Sequence, residues 1–259
     1  SIIKNNRANF IMVKIQKSRK NKLFFANNTS PFKKITHIEI TEKRIQQLIK
    51  KMTLKEKVGM LHGNSKFYTE EVKHLGIPEW ALSDGPHGVR AEMNRHNWQY
   101  AGLTDDASTS FPPGTAMAAS WNLELAKQRG IVLGEEARFR KKDVLLGPGI
   151  NIIRSPLCGR NLEYLSEDPF LLSINYIKAL QTQDVAACVK HFVANNQEEN
   201  RFVVDVTMSE RALREIYLPG FKASIVDAGV LGVMGAYNKF RGSYCTENNY
   251  LGRTLLRDE

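Results

Sequence analysis

The chain has 259 residues, 42% hydrophobic and 25% charged, with 18 Gly and 9 Pro. That balance excludes disordered, collagen-like and membrane-embedded chains, and no run reaches the roughly 18 apolar residues that a spanning helix needs. The formal net charge of +10 is concentrated: residues 1–38 hold nine basic and no acidic side chains, leaving 28 basic against 27 acidic groups in the rest.

The basicity therefore belongs to a leader, residues 1–40, and not to the folded body, so it does not mark the main domain as a nucleic-acid binder. The leader is rich in Lys and Asn and has one short apolar run at residues 10–13. That run is too short for the apolar core of a secretory signal. Its Lys, Arg and Ser content without acids faintly resembles an organelle transit peptide. A disordered extension, with Met12 as a candidate start, is the simpler expectation. No repeated aromatic-basic pattern and no amphipathic face point to nucleic acid or a membrane surface as partner. Cys158, Cys188 and Cys245 are odd in number and far apart, which suits reduced, buried thiols and favours the cytoplasm over export. The six His show no metal-ligand spacing, so neither metal nor cofactor is expected.

Ordered sequence is expected from about Thr41. Ile45, Leu48, Ile49 and Met52 fall at helical spacing, and Thr53-Leu-Lys-Glu56 is a capping box opening a second helix. Residues 77–82 read as a strand leading into Ser83-Asp-Gly-Pro-His-Gly88. Asn122 caps a long helix to about Phe139, and residues 144–146 read as a strand leading into Gly147-Pro-Gly149. Ser166 is expected to cap a helix to about Leu180, with Phe170, Ile174 and Ile177 on one face. Residues 185–193 form a buried strand. Ser209 opens a helix carrying Leu213, Ile216, Tyr217 and Phe221, closed by Gly229; residues 230–236 form the next strand, and Thr246 starts a last helix. Strands recurring at roughly 40-residue intervals with helices between predict repeated βα units, a parallel sheet and an α/β (β/α)8 TIM-type barrel incomplete at its C-terminus. A doubly wound nucleotide fold is disfavoured, because Gly147-Pro-Gly149 lacks the third glycine of the dinucleotide fingerprint and no phosphate loop occurs.

The functional-looking residues follow the strand ends: Asp84 and His87, Arg160 and Glu163, Lys190 and His191, then Tyr237. In a βα barrel those ends build the active-site face. A carboxylate, cations, an imidazole and a phenol with no metal or phosphate signature suit a neutral polyol, with Asp accepting and Lys, Arg and His donating to hydroxyls. Each residue also has a plainer role: Asp84 as turn former, Lys190-His191 as a structural ion pair, Arg160 in a salt-bridge network with Glu163, Glu167 and Asp168, Tyr237 as core.

Ser83-Asp-Gly-Pro-His-Gly-Val-Arg90, Phe111-Pro-Pro-Gly-Thr115, Gly147-Pro-Gly-Ile-Asn151, Cys158-Gly-Arg-Asn-Leu-Glu-Tyr-Leu-Ser-Glu-Asp-Pro169, Lys190-His-Phe-Val-Ala-Asn-Asn196 and Gly235-Ala-Tyr-Asn238 together resemble the N-terminal domain of family 3 glycoside hydrolases, nearest the bacterial β-glucosidases. The resemblance covers about residues 45–259. It implies a (β/α)8-type barrel followed by a second α/β domain, and retaining hydrolysis of β-glucosides. It also implies that Asp84, Arg160, Lys190 and His191 bind sugar hydroxyls, that Arg201 contacts the sugar, and that Tyr237 sits beside the nucleophile. The family's nucleophile, an Asp in a Ser-Asp-Trp-like motif, and its acid/base are not among these residues, so Asp258 and Glu259 are not candidates and the chain alone is expected not to turn over. Val193-Ala-Asn-Asn-Gln-Glu-Glu-Asn200 has no His, unlike the corresponding loop of β-N-acetylhexosaminidases. A β-xylosidase, a glucosylceramidase and a sugar-binding remnant without catalysis remain alternatives. Partner expectations are a β-glucoside substrate, no nucleic acid and no membrane.

Overall fold

The computed structural model describes residues 10–11, 42–102 and 108–259. The leader's basic residues and Met12 lie outside the described residues. Phe10–Ile11 forms a short strand, β1.

The first helices follow directly from spacing and capping. α1 (Glu42–Lys51) carries Ile45, Leu48 and Ile49 on one stripe. Thr53 opens α2 (Leu54–Gly59) with a complete capping box: its hydroxyl accepts from the Glu56 N–H at 3.3 Å, and the Glu56 carboxylate accepts from the Thr53 N–H at 2.8 Å. The chain then builds β2 (Leu82–Asp84), the short α3 (Gly114–Ala119), α4 (Leu123–Phe139, capped by Asn122), β3 (Val144–Leu146), α5 (Phe170–Gln181) and β4 (Ala186–Phe192). After β5 (Asp205–Val206) come α6 (Glu210–Ala212), α7 (Pro219–Val226), β6 (Gly232–Gly235), and the hairpin of β7 (Lys239–Phe240) and β8 (Ser243–Tyr244).

β2, β3, β4 and β6 lie side by side and parallel, with Ser83 opposite Leu145, Leu145 opposite Ala187, and Val189 opposite Val233. β1 adds antiparallel to the other edge of β6. Consecutive parallel strands joined through helices are the repeated βα units that the sequence predicts. Among the described residues the sheet stays open, in the order β1-β6-β4-β3-β2, and no pairing closes a barrel.

Strand periodicity divides the core in two. Leu145, Ala187, Val189 and Val233 face outward and pack with Leu133, Tyr176, Ile177, Leu180 and Phe221 of the helices. The alternate residues Leu82, Val144, Leu146, Cys188 and Met234 face inward and pack with Phe67. Burial on both faces is why these strands read as continuous apolar runs. α4 and α5 approach closely at Gly130, where a Cβ would sit 2.5 Å from the Tyr176 carbonyl oxygen.

Several sequence-based boundaries shift, each for a local reason. The strand expected at 77–82 pairs with β3 only over Leu82–Asp84, so Asp84 is the last residue of the strand itself. Ser166 does not cap α5. Its hydroxyl takes the Asp168 N–H, Asp168 takes the Phe170 N–H, and the helix begins after Pro169. The single helix expected from Ser209 is interrupted: Ser209 caps α6, but residues 213–217 widen into a turn closed by Leu218 N–H on the Leu213 carbonyl before Pro219 starts α7. Proline has no N–H to continue the ladder, so the helix restarts there. The last helix begins at Tyr250 rather than near Thr246, with Asn248 Oδ1 accepting the Leu251 N–H.

Candidate functional site

Asp84 lies two residues beyond the inward-facing Leu82, and Lys190 two beyond the inward-facing Cys188. Period-2 alternation therefore turns both toward the inner face at the C-terminal ends of β2 and β4. They meet there: Lys190 Nζ donates to Asp84 Oδ1 at 2.9 Å, with the lysine side chain only 2% exposed. Asp84 Oδ1 also accepts the Gly85 N–H at 3.2 Å, so the turn-forming role and the ion pair coexist. The turn requires glycine at position 85, whose φ is +137° and where a Cβ would fall 1.6 Å from the Gly88 carbonyl oxygen. Arg90 Nη1 stands 3.8 Å from the other Asp84 oxygen.

Burial alone would raise the Asp84 carboxyl. The Lys190 ammonium, with Arg160 and Arg90 behind it, outweighs that and holds the group below its ordinary value. Asp84 is thus a fixed anion at neutral pH and a strong acceptor.

Arg160 follows β3 on the loop that also carries Glu163, and the two form a close ion pair. Arg160 Nη1 is also 3.8 Å from Glu198, which pairs closely with Arg201. Glu163 and Glu198 therefore build the network around Arg160, and not Glu167 or Asp168. Burial would lower the Arg160 guanidinium, but Glu163, Tyr164, Glu198 and Asp84 hold it above its ordinary value. The Arg201 guanidinium lies over the rings of Phe202 and Tyr237, 4.9 and 5.2 Å from their centroids, and those rings are 5.1 Å apart. Tyr237 is half-buried and also packs on the inner core.

His191 is enclosed in the core beside Lys190. Burial, then the charges of Lys190, Arg160 and Arg201, keep its imidazole well below its ordinary pKa, so it is neutral. Asn151, from the strand-end segment after β3, brackets its backbone. His87 lines an open cleft with Asp84, Arg90, Ser108, Ser110 and Glu163, and its Nε2 lies against backbone, 3.1 Å from the Leu162 carbonyl and 3.3 Å from the Gly114 N–H, bonding one or the other according to its tautomer. That nitrogen is engaged by the surrounding loops.

The predicted residues Asp84, Arg160, Lys190, His191, Arg201 and Tyr237 thus fall into one electrostatically coupled group, with His87 at its margin. Glu198 was not singled out from sequence, because acidic residues in the run Gln197-Glu198-Glu199 read as a solvated loop. Asn151 and Tyr164 lie within motifs already quoted, yet their contact with His191 is tertiary and leaves no local pattern. Chemically, the group offers one committed anion, three cations and a neutral imidazole, which suits the hydroxyls of a neutral polyol.

Four similarities to known proteins bear on this arrangement. The profile described as "Glycosyl hydrolase family 3 N terminal domain" matches residues 32–259. Beta-glucosidase BoGH3A of Bacteroides ovatus is 47% identical over 251 residues, covering 96% of this chain and 32% of that protein. The structure of beta-glucosidase 3B from Thermotoga neapolitana in complex with glucose superposes with a TM-score of 0.74 at 41% identity, over 83% of this chain and 32% of that one. An exo-alpha-(1->6)-L-arabinopyranosidase of Bifidobacterium longum is 41% identical over 82% of this chain and 28% of its own length. The chain spans about a third of the length of the curated relatives it matches.

Proposed function

The chain belongs to glycosyl hydrolase family 3, and from that premise we propose that its strand-end group holds the terminal sugar of a β-glucoside during retaining hydrolysis. The observation that carries this reading is the ion pair between the buried Lys190 and Asp84 at the C-terminal ends of two parallel strands on either side of β3, flanked by Arg160.

Asp84, kept ionised, accepts from sugar hydroxyls, while Lys190 and Arg160 each retain N–H groups beyond those spent on their carboxylates. Charge-assisted hydrogen bonds of this kind are shorter and stronger than neutral ones. Those that tighten as the ring flattens toward its oxocarbenium-like transition state lower the barrier and not merely KM. Retention also needs a nucleophilic carboxylate and a carboxylic acid about 5 Å apart. We assign neither role to Asp84, Glu163 or Glu198, each of which is ion-paired to a cation. Both belong to parts of the enzyme that this chain does not span, with Tyr237 beside the nucleophile and Arg201 oriented toward the sugar through Glu198.

A second reading, action on an L-arabinopyranoside, has a relative at 41% identity behind it. That sugar lacks the hydroxymethyl carbon of glucose. Titrating the full chain calorimetrically with D-glucose and with L-arabinose separates the two: the β-glucoside reading expects glucose to bind more tightly. Tighter arabinose binding would transfer the assignment, and binding of neither by a folded chain would refute it.

A further inference from the structure

The polarity of His191 is settled by its neighbours. The Asn151 side chain is buried and grips the His191 backbone twice. Its Oδ1 accepts the His191 N–H at 2.7 Å, and its Nδ2 donates to the His191 carbonyl at 3.2 Å. A backbone N–H can only donate and a carbonyl can only accept, so these two bonds fix which end of the amide is oxygen. That same oxygen stands 3.2 Å from the imidazole Nδ1. An amide oxygen has no proton to give. A bond between the two atoms therefore requires the proton on Nδ1.

The other neighbour of Nδ1 is the Tyr164 hydroxyl, also at 3.2 Å, with its ring edge-on to the imidazole. This hydroxyl is enclosed, and its proton has an acceptor of its own in the Asn195 carbonyl at 3.4 Å. Were Tyr164 instead to donate to a bare Nδ1, the Asn151 oxygen would face a lone pair across 3.2 Å in a buried setting, and the Asn195 carbonyl would lose that donor. Because the ring is neutral, a proton on Nδ1 leaves Nε2 without one. Nε2 is buried and has no hydrogen-bond partner among the described residues.

We infer that Asn151 is a positioning residue that locks His191 in the Nδ1–H tautomer, so that the bare Nε2 can only accept a hydrogen bond, and in the proposed function a sugar hydroxyl donates it. This deepens the proposed function and reverses the donor role that the residue types alone had given His191. It also supplies a second acceptor beside Asp84 in a group otherwise dominated by donors. A hydroxyl that accepts from Lys190 or Arg160 still has its own O–H to donate, and Nε2 can accept that hydrogen bond. Ligand groups that only accept, such as an ether or a carbonyl oxygen, cannot satisfy this nitrogen.

The test is nitrogen-15 NMR of the full chain with labelled histidine, near pH 7.5, using long-range proton correlations that separate a protonated ring nitrogen from a bare one. His191→Gln assigns the resonance. The expected spectrum has His191 Nδ1 protonated and Nε2 bare, unchanged in Tyr164→Phe and shifted toward a tautomer mixture in Asn151→Ala. A protonated Nε2 in the wild-type chain overturns the inference, as does a Tyr164→Phe spectrum that changes tautomer. The wild-type and Tyr164→Phe spectra decide the matter even if Asn151→Ala does not fold. No sugar is present in this measurement, so failure of glucose to bind would refute the proposed function and leave the tautomer standing.

Discussion

Replacing Asp84 by Asn removes the charge that neutralises Lys190 while preserving size and shape. The lysine side chain is 2% exposed and its ammonium sits 2.9 Å from the carboxylate. Stripping one partner from an enclosed ion pair costs about 3–5 kcal/mol, because the remaining charge stays desolvated. Here the Asp84 side chain is 38% exposed, so solvent screens that end and the expected loss falls to about 2–3 kcal/mol. For a domain of this size that corresponds to a fall in Tm of roughly 4–12 °C. The assay is urea unfolding of wild type, Asp84→Asn, Lys190→Met and the double variant. The double should lose less than the sum of the singles by about 1–3 kcal/mol, since it leaves no orphaned ammonium. The sign with pH is fixed as well. Asp84 is held below its ordinary pKa, so the pair's stabilisation is complete above the unfolded carboxylate value of about 4 and disappears as pH falls through the lower folded value. The gap between wild type and Asp84→Asn should close in that acid range. A loss within about 0.5 kcal/mol, the level expected of an ordinary surface change, or an additive cycle would refute the account of this pair.

Three further outcomes follow from other contacts. His191 is buried neutral with a strongly depressed pKa, so below about pH 6.5 the unfolded chain takes up a proton that the folded one refuses, and stability falls by up to about 1.4 kcal/mol per pH unit. Unfolding of His191→Gln between pH 6.5 and 5 should show a shallower slope, and an unchanged slope would contradict the burial argument. Gly130→Ala should destabilise by about 1–3 kcal/mol despite the better helix propensity of Ala, because its Cβ would press on the Tyr176 carbonyl and the Ala179 methyl. Gly252→Ala, where no heavy atom lies within 4 Å of the new Cβ, is the control, and its Cm should hold or rise.

What the sequence disclosed depended on how local each signal was. The Thr53 capping box, the Asn122 cap and the apolar runs of β3 and β4 act within a few residues and were legible at once. Boundaries set by competing local bonds were not. Ser166 has the composition of a helix cap but bonds the Asp168 N–H, two residues before the helix begins. Pro219 divides what the apolar spacing presents as one helix. The strand-end residues were identifiable because parallel βα units put chemistry at one edge, and Asp84, Arg160 and Lys190 do converge there. Their partners were harder to see. Glu198 reaches Arg160 from another loop, and Asn151 reaches His191 across 40 residues of chain. Contacts of that length depend on the register of β3 beside β4, which no window of sequence contains.

Calorimetric titration of D-glucose into the folded wild-type chain and into Asp84→Asn tests the central claim most directly. A lost hydrogen bond to a charged group is worth about 1.5–3 kcal/mol, a factor of roughly 10–150 in affinity. We expect measurable glucose binding in the wild type and a loss of at least about tenfold in Asp84→Asn. Equal affinity in a folded Asp84→Asn chain would show that the ion pair at the ends of β2 and β4 is structural and that the sugar is held elsewhere.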